Sequence, residues 1–74
     1  MRILFFGRLR DGAPAGPVPP GVRDTGALRA WLGRDRPELL DASIRIVVND
    51  EMILGDRLLD EKDEVAFLPP MSGG

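Results

Sequence analysis

Apolar residues along this chain come in short runs separated by turn residues, and the spacing within each run names an element. Arg2 to Arg8, RILFFGR, is dominated by β-branched and aromatic residues and reads as a first strand, with Gly7 marking a bend or a close approach. Ile3 and Phe5 point to one face of that strand and Leu4 and Phe6 to the other, so both faces need cover. Asp11 to Gly21, DGAPAGPVPPG, is rich in turn residues. It reads as a hairpin turn leading into a short edge strand around Val18, in preference to a PxxP ligand for a peptide-binding module. Leu28, Trp31 and Leu32 then recur at helical spacing, with Thr25 as the expected cap. Pro37 ends this helix or starts a further turn through PELL.

Ile44 to Val48, IRIVV, alternates cleanly: Ile44, Ile46 and Val48 on one face, Arg45 and Val47 on the other. Asn49-Asp50 makes a tight turn into a returning strand at Met52–Leu54, which Gly55-Asp56 breaks. Leu58 and Leu59 are expected to plug the bottom of the core. Val65 to Leu68 is the last strand, and Pro69-Pro70 cannot extend its ladder because neither has an N–H.

One helix covers one face of a sheet this small. With Ile3, Phe5, Val65 and Phe67 facing the helix, the opposite face collects Leu4, Phe6, Val47, Ala66 and Leu68, with Arg8 and Arg45 nearby. Unless the segment Pro37 to Ser43 covers it, such a patch marks a partner surface. It lies on the strand from which the tail departs, so a partner gripping it would receive the tail as well.

Composition narrows the chemistry. The 74 residues make one domain near the lower size limit for a core without staples, and there is no Cys and no His. Disulfides, thiolate nucleophiles, zinc thiolates and imidazole bases are therefore excluded. The formal net charge is −2 and the basic residues are scattered, which argues against nucleic acid. The run Ile3 to Phe6 is too short for a signal peptide or a membrane span, so no membrane association is expected and the cytoplasm is the default. Trp31 reads as core. Asp60, Glu61, Asp63 and Glu64 read as a solvated turn, not a metal site, because no calcium-loop spacing is present.

The body is thus residues 1–70 and the tail 71–74, Met71-Ser72-Gly73-Gly74, expected to be flexible. Four extended residues reach on the order of 13 Å, enough to enter another protein's active site. Fixing them costs roughly 4–8 kcal/mol of backbone entropy, which a docking patch and channel must offset together. Glycine suits a narrow channel because it has no Cβ. A carboxylate is a poor electrophile, but as an acyl-adenylate made with ATP it would accept a sulfur or an amine at its carbonyl. A frayed, inert end is the alternative reading of Gly73-Gly74 taken alone.

The motifs ILFFGRLRD, LRAWL followed by PEL, VVND and above all DEVAFLPPMSGG resemble the small, sulfur-carrying subunit of molybdopterin synthase. The resemblance covers nearly the whole chain. It implies an α+β, ubiquitin-like β-grasp fold with a mixed sheet of four to five strands and one main helix. It also implies that Gly74 is adenylated by an activating enzyme of the ubiquitin-E1 type that uses ATP. A sulfur donor protein then converts it to a thiocarboxylate, with no cofactor bound to the chain itself.

In the heterotetrameric complex the resemblance implies, the tail enters the large subunit, where its sulfur passes to cyclic pyranopterin monophosphate to build molybdopterin. The chain would be non-catalytic alone. Phe6, Arg10 and Leu68 occupy positions that contact the partner in that family, joining Val47 and Ala66 from the residue pattern. Lys62, where the family often has Gly, and the Pro-rich first turn depart from the family pattern. A carrier for thiamin, cysteine or tRNA thiolation, and a ubiquitin-like protein modifier, need the same chemical handle.

Overall fold

In the computed structural model, which describes residues 1–11 and 16–70, the strand order is set by β4 (Glu64–Leu68). It pairs in parallel with β1 (Arg2–Phe5) and antiparallel with β2 (Arg45–Val48), and β3 (Glu51–Ile53) completes the order β1-β4-β2-β3. One helix, α1 (Thr25–Gly33), lies on one face, joined by a 3₁₀ turn at Pro37–Leu40. This mixed four-stranded sheet with one main helix is the ubiquitin-like β-grasp architecture.

The alternation in the strands explains the core. Val65 and Phe67 of β4 are fully buried, and Ile46 and Val48 of β2 meet Leu28 and Leu32 of α1. Ile3 and Phe5 pack against the same cluster, and the Phe5 ring stacks on Phe67 with centroids 5.7 Å apart. Trp31 packs on its edge as a core residue.

Four local expectations change. The first strand stops at Phe5, not Arg8: Gly7 has φ +57° and turns the chain into a 3₁₀ turn, Gly7–Asp11, whose Leu9 enters the core. Among the described residues no strand forms around Val18. Pro17 and Pro19 flank it and neither can donate to a ladder, so Val18 is held only by packing against the core. Residues 12–15 of the expected hairpin turn lie outside those described. The helix cap is Asp24, whose carboxylate accepts from the Ala27 amide at 2.7 Å. Thr25 is instead the first helical residue, buried, with its Oγ1 accepting from the Arg57 amide at 3.0 Å. Leu59 packs on the core as expected, but Leu58 is 79% exposed because its backbone is taken up in a bridge to Asp24 that turns the side chain outward.

The β2–β3 turn is fastened to β4 by the only Asn in the chain. Asn49 and Asp50 both have positive φ, 50° and 69°, as a two-residue hairpin of this hand requires. The Asn49 side chain accepts from the Glu64 amide at 2.9 Å and donates to the Asp63 carboxylate at 2.8 Å. Asp63 also accepts from the Asp60 amide at 2.7 Å, which closes the acidic turn upon itself. The bond from the Asp60 backbone and then the one from Asn49 hold the Asp63 carboxyl below its ordinary value of 3.8.

A carboxyl depressed on folding adds stability above its unfolded value and loses it as pH falls through the folded value. The stability difference between the parent and an Asp63→Asn variant is therefore expected to be constant near neutrality and to shrink below pH 3.8. Urea titrations across that range check it; a difference that grew on acidification would contradict it.

Candidate functional site

The end of β4 is held from both sides. Phe6 donates its amide to the Phe67 carbonyl at 3.1 Å, and Arg45 of β2 lies opposite Leu68. Pro69 follows at once and rests on Gly7, where an added Cβ would come within 2.7 Å of the proline Cγ. Gly7 is therefore required twice, by its positive φ and by this approach. Together these contacts fix where the chain leaves the sheet. Met71, Ser72, Gly73 and Gly74 lie outside the described residues.

Beside this exit is the face away from the helix. The strand registers align Leu4 with Ala66, Ala66 with Val47, and Val47 with Met52, a row of apolar residues running across all four strands. Ala66 is buried although it faces away from the core. As the smallest member of the row it forms the floor of a shallow depression walled by Leu4, Phe6, Val47 and Leu68, with Asp50 and Glu64 also lining it. Phe6 is 46% exposed at one end and Met52 53% exposed at the other. The segment Pro37–Leu40 does not cover this face: its Leu39 is buried in the core, and Arg29 of α1 donates to the Leu39 and Asp41 carbonyls.

Of the residues expected from sequence, Phe6, Val47, Ala66 and Leu68 come together on this face with Leu4. Arg10 is exposed on the 3₁₀ turn after β1, and so is Arg8. Arg8 and Arg29, after the two hydrogen bonds from Ser43, contribute to holding the Asp41 carboxyl below its ordinary value. At the far end of the face Arg2 and Glu64 form an exposed pair at 3.6 Å, of little energetic weight.

Met52 and Leu54 are the members that the sequence reading passed over. A two-residue Asn-Asp turn fixes the register by itself, pairing Val48 with Glu51 and Val47 with Met52, so the turn type was the available signal. One step further along the same alternation Leu54 follows β3, 93% exposed.

The site among the described residues is an apolar face beside the point where the chain leaves the sheet. Among the described residues no group of three His, Cys, Asp or Glu could hold a metal ion, and no helix is long and apolar enough to cross a membrane.

Two comparisons with known proteins bear on this geometry. The model of the ThiS family matches residues 3–74. The molybdopterin synthase sulfur carrier subunit of Escherichia coli (strain K12) is 31% identical over 80 residues, an alignment that spans 100% of this chain and 99% of that one.

Gly7→Ala is expected to cost about 1–3 kcal/mol, from the left-handed backbone alone, and to displace Pro69 besides. Chemical denaturation measures the first effect, and shifts in the amide resonances of Phe67 and Leu68 report the second. A variant as stable as the parent, with those resonances unmoved, would show that Gly7 does not set the exit.

Proposed function

Because the chain belongs to the ThiS family and is a sulfur carrier of that type, we propose that it serves as the small subunit of a molybdopterin synthase. In this reading the Gly74 carboxylate attacks ATP in an activating enzyme of the E1 type, forming an acyl-adenylate and releasing pyrophosphate. The outer sulfur of a donor protein's cysteine persulfide then attacks the carbonyl as AMP leaves, forming an acyl disulfide, and a second thiol attacks the donor's cysteine sulfur, which releases the thiocarboxylate and leaves a disulfide behind. The loaded tail enters the large subunit, where the sulfur passes to cyclic pyranopterin monophosphate, and hydrolysis returns Gly74 to a carboxylate. The cycle runs in the cytoplasm, and carrier and large subunit form a heterotetramer.

One observation carries the reading: the central strand, held on both sides, ends beside an apolar face that no other described element covers. Phe6, Val47, Ala66 and Leu68, with Leu4 and Met52, seat the body on the large subunit, and Arg10 pairs at the rim. Met71, Ser72 and Gly73 span the channel. The covered face supplies the free energy that restrains the tail, since four ordered residues cost roughly 4–8 kcal/mol and each well-buried large apolar side chain returns about 1.5–3 kcal/mol.

Intact-mass measurement on protein isolated from cells is expected to find a fraction in which one carboxylate oxygen is replaced by sulfur. A variant extended by one alanine beyond Gly74 is expected to lose that fraction while keeping its thermal stability. Ladders of conjugates on other proteins would instead make the chain a modifier. Co-purification with a large subunit that binds no pterin would move the sulfur to thiamin, cysteine or tRNA thiolation.

A further inference from the structure

Among the described residues, Arg45 is the charged residue whose register position lies beside Leu68 on the apolar face, while Asp50 and Glu64 line that face away from the exit. Arg45 sits on β2 opposite Leu68, two residues before Val47, and Leu54 is next to it along the β3 edge. Its side chain is exposed and, among the described residues, forms no hydrogen bond or ion pair. Arg8, on the 3₁₀ turn that follows β1, is likewise exposed and without an ion pair among the described residues, whereas Arg2 pairs with Glu64 at the far end of the face and Arg57 with Glu51 at 2.5 Å; Arg45 is set apart by its register opposite Leu68.

The position decides what this means. A partner that takes the tail must close over Leu68, because Pro69 and the tail follow it directly. Closing over Leu68 removes water from Arg45, its neighbour in register. A guanidinium that loses water without a counter-charge is strongly unfavourable, and its planar fork is matched best by a carboxylate engaged through two parallel hydrogen bonds.

We infer that the surface receiving this face presents a carboxylate to Arg45 within an apolar socket that also seats Leu54. This makes Arg45 a specificity-determining residue, one that admits partners carrying that acid and rejects those with an apolar or basic group there. The inference rests on the reading of the face as the docking surface for a large subunit. The competing role for Arg45 is that of a charge that merely keeps two copies of the apolar face from associating.

The test is binding of the full chain to the pterin-binding large subunit from the same source, measured by calorimetry across a salt series, with sedimentation of each variant alone. Arg45→Met is expected to weaken binding about 30-fold or more and to flatten the salt dependence, because it strands the partner's carboxylate. Arg45→Lys is expected to stay within about tenfold of the parent, and Arg45→Glu to fall beyond about 1,000-fold. If Arg45→Met binds within about threefold of the parent with the same salt slope, whether or not it self-associates when alone, the inference is overturned and the docking reading stands. If the parent itself does not bind while remaining folded, the docking reading fails and the inference fails with it.

Discussion

β4 lies between β1 and β2, and the rest of the molecule depends on that placement. An edge strand could shift its register or peel away, whereas a strand paired on both sides is fixed along its length. Its alternation then serves two purposes at once. Val65 and Phe67 anchor the core, while Ala66 and Leu68 belong to the open face. The residue that ends the strand is a proline seated against Gly7, so the direction in which the chain leaves is set by the same contacts that stabilise the body. Under the function proposed above this matters, because uncertainty where the chain leaves the sheet would be carried to its tip.

Much of this was legible in the sequence where the signal is local and periodic. The alternation in RILFF, IRIVV and VAFL sorted Leu4, Phe6, Val47, Ala66 and Leu68 onto one face. The spacing of Leu28 and Leu32 placed α1 against the other. What failed depended on competition between neighbours. Asp24 and Thr25 are both able to cap, and the aspartate prevails because the Thr25 hydroxyl is taken by the Arg57 amide, a contact separated by 32 residues in sequence. Leu58 looked like core by composition, but a single backbone bridge to Asp24 turns it outward. The strand expected at Val18 was undone by its flanking prolines, a rule visible in the sequence but given too little weight.

With no cysteine to cross-link it, this small body uses arginine for that purpose. Arg29 gathers the carbonyls of Leu39, Asp41 and Ile44, the connection between α1 and β2. Arg36 lies 4.1 Å over the Phe5 ring, donates to the Leu9 carbonyl and pairs with Glu38 at 3.4 Å, tying the first strand and its 3₁₀ turn to the second half of the chain. Its Nη1 is buried without a hydrogen-bond partner among the described residues, a cost that the ring contact partly offsets. One planar, permanently charged group thus satisfies several backbone acceptors that would otherwise need a longer chain to cover them.

The pairing of β1 with β4 joins Arg2 to Glu64, so the sheet closes a loop of nearly the whole chain. Such closure is entropically slow, and on the ribosome it must wait until the last strand has emerged. Until then neither the apolar row nor the base of the tail exists as a surface. A copy that stops short of β4 therefore lacks both, and the surface belongs to the chain only once its last strand has paired.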